Sequence, residues 1–230
     1  MSTGQKTLES MSQAVWYNQW TLKKFSAFLK GDILEVGCGI GNFTDSLINY
    51  GNVYAIDISK EYVDKTKNLV NGKASVGLGD IESGKYFFVK KEFDCIVCLN
   101  VLEHIKNDEA ALKNIYDLLK PGGNLILLVP AHSFLYSKID KLLGHFKRYN
   151  KWELKRMLDN IGFKILKIRL LNLLGAVGWF ISGKILGNQY IDSSKIKIFN
   201  LIAPITLNME NVIEPPLGTS ILIVAGKKSI

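Results

Sequence analysis

The sequence predicts an α/β fold in which a mostly parallel sheet carries helices on both faces. Three observations carry that prediction. Short apolar runs recur at 32–36, 52–57, 74–78 and 93–99; helical periodicity fills most of the intervals between them; and the first run opens directly into glycines 37, 39 and 41. A buried strand, a glycine turn and a helix in succession place a ligand pocket at the carboxyl ends of the strands.

The size of the chain fits that architecture. At 230 residues, 47% hydrophobic and 22% charged, it falls in the range of one large α/β domain. We divide that single domain into a helical lead-in at 1–30, a ligand-binding core at 31–130, a stretch of loops, helices and a strand at 131–218, and a final strand and tail at 219–230. Residues 1–13 are polar and lack an apolar core segment, which predicts a cytoplasmic location. Cys38 lies in the glycine loop, while Cys95 and Cys98 lie three apart on a strand and face opposite ways, so all three are expected as structural thiols.

The net charge is +8, and its placement matters more than its size. From Lys138 to Arg169 ten basic residues stand against three acidic ones, a local excess of +7. That excess suits either a solvated helix face or attraction to an anionic acceptor or the inner face of a membrane. Nucleic acid is disfavoured, because the basic residues are not interleaved with a binding motif.

Taken in order, residues 8–29 carry apolar positions at helical spacing (Val15, Trp16, Trp20, Leu22, Phe25, Leu29), and Tyr17 on this lead-in is a candidate ligand contact. The first strand spans 32–36 and the first crossover helix 41–50. The second strand, 52–57, closes on Asp57. A right-handed crossover sets that acid, with Ile58 beside it, next to the glycines, where a carboxylate can accept both hydroxyls of a ribose. A helix at 60–71 with Tyr62, Val63 and Leu69 inward leads to a third strand at 74–78, which Asp80 and Ile81 follow. The fourth strand, 93–99, ends at Asn100, Val101, Glu103 and His104. An amphipathic helix at 108–119 is stopped by Pro121-Gly122-Gly123, and the fifth strand at 125–129 leaves toward His132. A loop at 133–150, a helix at 152–160, a sixth strand at 163–171 and a last strand at 219–225 complete the sheet. The connection at 172–218 is long for its task. It opens with an uncharged run, 170–183, too short to cross a bilayer but suited to a core helix, a lid or a membrane interface.

The glycine turn excludes two common ligands. The dinucleotide fingerprint needs a different third spacing, and a phosphate loop needs Gly-Lys-Ser/Thr, which is absent. Glu35 at the mouth of the turn would repel a pyrophosphate and suit an amino group. The pocket therefore favours a nucleoside that carries positive charge.

With those residues in hand, Glu35-Val36-Gly37-Cys38-Gly39-Ile40-Gly41, Asp57, Gly79-Asp80-Ile81, Asn100-Val101-Leu102-Glu103-His104 and Leu119-Lys120-Pro121-Gly122-Gly123 resemble the successive motifs of class I S-adenosylmethionine (SAM)-dependent methyltransferases. The resemblance implies a Rossmann-like three-layer sandwich of seven strands with an antiparallel last strand. It implies SAM as cofactor and S-adenosylhomocysteine (SAH) as product. Glu35, Gly37, Cys38, Gly39 and Gly41 would hold the methionine part, Asp57 and Ile58 the ribose, and Asp80 and Ile81 the adenine; Asn100, Val101 and His104 would border the methionine side.

The second half resembles a narrower, type 11/12-like branch, often encoded beside or fused to glycosyltransferases of envelope polysaccharide pathways. His132, Tyr136, Asp140, the run Gly144-His145-Phe146-Lys147-Arg148-Tyr149, Asn172, Trp179 and Pro215 to Ser220 carry that likeness. It implies a small, anionic or lipid- or saccharide-linked acceptor, methylated on oxygen in preference to nitrogen.

The sulfonium is already electrophilic, so the protein's tasks are to align the acceptor and remove its proton. All three histidines of the chain fall near one edge of the predicted sheet. We assign His145 as the base or substrate contact, His132 as the second candidate, Asp140 as orienter and Arg148 as an anion clamp. Some enzymes of this class hold a divalent ion with Glu-x-x-Glu-His and a distant histidine. Here Asn100 replaces the first glutamate and leaves Glu103, His104 and His145, one hard ligand short, so no resident metal is expected. Two other readings stand beside methyl transfer to a small molecule: a non-catalytic SAM-binding accessory protein, and an RNA or protein methyltransferase. The latter is disfavoured because Leu99-Asn100-Val101-Leu102 lacks the Asn/Asp-Pro-Pro-Tyr/Phe pattern.

Overall fold

The computed structural model describes residues 15–187 and 202–228. Its centre is an eight-stranded sheet, one strand more than expected. In chain order the strands are β1 (Asp32–Val36), β2 (Asn52–Asp57), β3 (Ser75–Asp80), β4 (Lys85–Tyr86), β5 (Phe93–Leu99), β6 (Leu119–Pro130), β7 (Phe163–Leu171) and β8 (Ser220–Lys227). Across the sheet they lie in the order β4-β3-β2-β1-β5-β6-β8-β7. The extra strand is β4, a two-residue hairpin partner antiparallel to β3. The predicted antiparallel last strand is β8, which slots between β6 and β7 and runs against both.

The central strands are buried on both sides, as a parallel sheet requires. Side chains alternate between two cores with the period of a strand. Leu34, Val36, Ile96, Cys98, Leu125 and Leu127 face the helices α4 (Asp108–Leu118) and α6 (Lys151–Ile161), which contribute Leu112, Ile115, Leu154 and Leu158. Ile33, Cys95, Val97, Ile126 and Leu128 face the other way, against Trp20 of α1 (Val15–Lys23), Phe25, and Ala203 and Leu207 of the helix at 202–209, here α8. The cysteines are free and buried. Burial pushes the Cys38 thiol up to about 12, which leaves it inert as a nucleophile.

Four expectations need correction. The first crossover helix contracts to α2 (Thr44–Leu47), because the glycine turn and its following turn occupy 37–43. In α3 (Lys60–Val70), Leu69 is 52% exposed, and Val63, Thr66 and Val70 form the inward face. The fifth strand begins at Leu119, since the backbone extends at once and the Pro-Gly-Gly turn bulges out between the pairs Phe93–Leu119 and Cys95–Asn124. The loop at 133–150 contains a helix, α5 (Lys138–Leu143). There Ser137 and Asp140 form a reciprocal capping box, and Gly144 closes the end in a left-handed conformation. The uncharged run becomes α7 (Leu173–Trp179), continued by a wide turn at Phe180–Ile185. Among the described residues no helix is long and apolar enough to cross a membrane. The start of the lead-in and the middle of the long connection lie outside the described residues.

Candidate active site

The carboxyl ends of β1, β2 and β5 build the first half of the site. Gly37, Gly39 and Gly41 all take positive φ, and a Cβ on Gly37 would lie 2.3 Å from Cγ2 of Val101, so the β1 and β5 ends meet at van der Waals contact only because that side chain is missing. Asp57 fastens the turn: its Oδ2 accepts from the Gly39 amide at 2.9 Å and its Oδ1 from Ser59 N at 2.9 Å. Each oxygen keeps a lone pair for a ligand hydroxyl. Glu35, 5% exposed, accepts a 2.6 Å hydrogen bond from the Thr44 hydroxyl. Burial, helped by the charge of Asp57, pushes its pKa up to about 8. Among the described residues no cation offsets either carboxylate. Two buried acids beside a glycine cradle suit a ligand with an ammonium and a diol and reject a phosphate.

Around this corner the predicted contacts divide. Ile58 is 78% exposed beside Asp57, and Asp80 Oδ1 accepts from the amides of Glu82 and Ser83, which fixes its carboxylate at the β3 end. Ile81 is 4% exposed, its side chain belongs to the core, and its carbonyl accepts from Asn114 Nδ2 at 2.8 Å. Tyr17 does not join this corner. It bonds to Asn172 and Ser220, at the β7–β8 end, and β8 lies three strands from β1, about 14 Å at ordinary strand spacing.

The second half is assembled by the segment from β6 to α7. Asp140, with no exposed surface, is its hub. It accepts from Arg148 Nε at 2.7 Å, from the Ser137 amide at 2.8 Å and from Trp179 Nε1 at 3.3 Å, and it meets His145 Nδ1 at 3.0 Å. Hydrogen bonds from His145, Arg148 and Ser137 outweigh burial and hold the Asp140 carboxyl below the usual carboxylate range. Arg148, read from the sequence as an anion clamp, is committed elsewhere. It is 4% exposed, ion-paired to Asp140, bonded through Nη1 to the Ala131 carbonyl and stacked 4.6 Å from the Trp179 ring. A guanidinium so used braces the loop.

His145 and His104 come together, their ring centroids 4.7 Å apart at 80°. His104, in the turn that follows β5, therefore stands against His145. Burial and the neighbouring His145 depress its pKa to about 4. His132 sits apart, at φ +62° after β6, 5.2 Å from the Phe134 ring, with Nε2 unpartnered. Glu103, beside His104, is 1% exposed, its Oε2 lacks a hydrogen-bond partner among the described residues, and burial pushes its pKa up to about 8. Asn100, His132 and Asn172 all take positive φ just past β5, β6 and β7. Backbone strain of this kind, in residues other than glycine, is concentrated where a surrounding structure holds a site in shape.

A parallel sheet whose first turn cradles an ammonium and a diol, with an imidazole–carboxylate pair further along the same edge, defines a SAM-dependent transferase of the Rossmann-like class I type. A profile of the methyltransferase domain matches residues 17–168, and the chain belongs to that family. Among curated proteins it is similar to juvenile hormone acid O-methyltransferase of Bombyx mori, 26% identical over 60% of this chain and 58% of that one. It is also similar to ubiquinone biosynthesis O-methyltransferase of Coxiella burnetii, 34% identical over 42% of this chain and 43% of that one. The chain thus spans about half the length of these relatives. Among solved structures, N-methyltransferase NodS of Bradyrhizobium japonicum, in complex with SAH, shares the fold with a TM-score of 0.59 at 16% identity, covering 91% of this chain and 84% of that one. A SAM-dependent methyltransferase from Clostridium acetobutylicum does so with a TM-score of 0.58 at 15% identity, over 92% and 91%.

The residues present fit SAM. Glu35 would hold its ammonium, the Gly37–Gly41 turn its carboxylate side and Asp57 its ribose hydroxyls. SAM supplies an electrophilic methyl on a sulfonium; the residues at its site supply orientation and desolvation.

Proposed function

We propose that this methyltransferase acts on the oxygen, in preference to the nitrogen, of a small anionic or amphiphilic acceptor, of the lipid- or saccharide-linked kind. The observation that carries the reading is the His145–Asp140 pair. A hydroxyl must lose its proton as the methyl arrives, and Asp140 fixes Nδ1 of His145 as a donor, which leaves Nε2 free to take that proton. The two O-methyltransferase relatives support oxygen. A screen of hydroxylated and carboxylated acceptors with radiolabelled SAM tests it: label is expected in an alkali-stable ether or alkali-labile ester. Label found only in amines, or only in RNA or protein, would overturn it. SAM binding without transfer to any acceptor would favour the accessory reading.

The amphiphilic part rests on the surface of α7 and the turn after it. Val177, Phe180, Ile181 and Ile185 share one helical face and are 43–64% exposed. The turn packs through Gly183 on Ser137 and Ile139, which brings it next to α5 with its Lys138 and Lys141, and Lys184 belongs to the turn itself. An apolar stripe with a basic margin suits an anionic bilayer at its headgroup level, at the inner face of the membrane for a cytoplasmic protein. Flotation with phosphatidylglycerol vesicles is expected to carry the protein, and Phe180→Asp with Ile181→Asp to release it. Protein left unbound at low salt would remove this part of the proposal.

A further inference from the structure

We infer that Trp179 is a positioning residue for methyl transfer: its indole N–H, brought in by α7, fixes the Asp140 carboxylate that orients His145. The inference rests on the reading of His145 as proton acceptor. Asp140 uses both of its oxygens. Oδ1 accepts from Arg148 Nε at 2.7 Å and meets His145 Nδ1 at 3.0 Å. Oδ2 accepts from the Ser137 amide at 2.8 Å, from the Ser137 hydroxyl at 3.2 Å and from Trp179 Nε1 at 3.3 Å. Ser137, His145 and Arg148 all lie in the segment 131–150 and move with it. Among the described residues Trp179 is the donor to this carboxylate that comes from another element, so it alone ties the carboxylate to a part of the fold outside its own loop.

The start of α7 is built to aim that indole. Asn172 takes φ +67°, a left-handed turn that asparagine tolerates better than most side chains, and its Oδ1 caps the helix by accepting from the Gly175 amide at 2.8 Å. The amides of Asn172 and Leu173 donate to the Glu210 carboxylate at 2.8 and 2.9 Å, and the Thr219 amide donates to the Asn172 carbonyl at 3.1 Å, so the helix is anchored at the β7–β8 end. From there Ala176, Trp179 and Gly183 recur at helical spacing on the inner side, opposite exposed Val177, Phe180 and Ile181. A Cβ on Gly183 would stand 2.8 Å from Ser137 Oγ, which sets this stretch directly on the capping box that Asp140 completes. Packing alone would need only the ring of Trp179. Here the ring also lies 4.6 Å from the Arg148 guanidinium, which the Ala131 carbonyl holds from the other end at 3.1 Å. A guanidinium kept against that ring stays on its own side of Oδ1 and leaves the second lone pair to His145 Nδ1. One side chain thus sets both the plane of the carboxylate and the share of it that His145 receives.

NMR of protein carrying isotope-labelled histidine and tryptophan tests this without an acceptor, so that its failure is distinct from failure of the proposed function. In the parent chain His145 is expected to be protonated on Nδ1 and bare on Nε2. The Trp179 indole proton is expected to exchange with solvent at least about 10-fold more slowly than that of Trp152, which is 70% exposed. Trp179→Phe keeps a ring over Arg148 and removes the donor. It is expected to speed exchange of the His145 Nδ1 proton at least about 10-fold and to raise the share of the Nε2-protonated tautomer, with SAM affinity kept within a few-fold. Trp152→Phe is expected to change neither. A Trp179 indole in the parent that exchanges as fast as that of Trp152 would overturn the inference, as would a His145 tautomer and exchange rate untouched by Trp179→Phe in a chain that still binds SAM. A parent His145 protonated on Nε2 would remove the proton-acceptor reading and this inference with it.

Discussion

At the β1–β2 corner the two acids bond within one strand–helix–strand unit: Glu35 to Thr44, nine residues on, and Asp57 to the Gly39 amide, eighteen back. At the β6–β7 end the local bonds of Asp140 to Ser137, His145 and Arg148 are joined by others that reach much further. Trp179 meets Asp140 across 39 residues, Tyr149 caps the Leu102 carbonyl across 47, and the Asn172 amide meets Glu210 across 38. The cofactor corner thus follows from strand pairing and one crossover. The acceptor side exists only when a closed loop, a helix and the late connection have docked together. Substitutions at the first should change ligand affinity and leave the fold, while many at the second should change catalysis and stability at once.

The sharpest way to break that comparison is His145→Ala. Methyl transfer is expected to fall about 10²–10⁴-fold while SAM affinity, measured by calorimetry, stays within a few-fold. An equal loss of SAM binding would show that the two corners are not separate. Next is Asp140→Ala, which leaves Arg148 buried without its partner. A loss of about 3–5 kcal/mol in a urea melt is expected, together with loss of transfer. No change in the melt would mean that the hub is not the brace described.

A smaller effect is expected at the cofactor corner, and it carries a sign in pH. Glu35 is protonated below about pH 8 in the free protein, whereas the SAM ammonium selects the carboxylate, so binding releases a proton. Affinity should rise from pH 6 toward 8. Glu35→Gln should lower it about 10–100-fold and flatten the slope, as expected when a charged hydrogen bond of about 1.5–3 kcal/mol is lost. For the unliganded fold the linkage runs the other way. Because the folded pKa lies above the usual 4.5, the relative stabilisation is full below pH 4.5 and is lost as pH rises through about 8. The Gln variant should therefore gain most on the parent at pH 8–9, and equal melting at that pH would count against a buried, uncompensated Glu35. Smallest of all, Lys60→Ala breaks an exposed i,i+4 pair with Asp64 on α3 and should move stability by no more than about 0.5 kcal/mol in the same urea assay.

Local rules made much of the fold legible. The runs at 32–36, 52–57 and 93–99 are strands with those same bounds, because parallel strands buried on both faces are written as continuous apolar segments, and 163–171 is legible by its alternation, as an edge strand antiparallel to β8. Inside the loop at 133–150, Ser137 with Asp140 three residues on and Gly144 beyond spelled a capped helix that periodicity was too short to reveal. Arg148 and His104 could not be placed from spacing. A cationic side chain looks the same in sequence whether it waits for an anion or is consumed by a buried acid.

Three closely spaced glycines after a strand, an acid before them and an acid at the end of the next strand specify a pocket for a cationic nucleoside, since short-range geometry and strand order bring those groups together, and their resemblance to the class I motifs names SAM. The surroundings of His145 come from the assembled fold alone. There Asp140 gathers His145, Arg148 and Trp179, and His104 lies against His145. Burial sets the state of each of these groups, and burial is a property of the assembled fold.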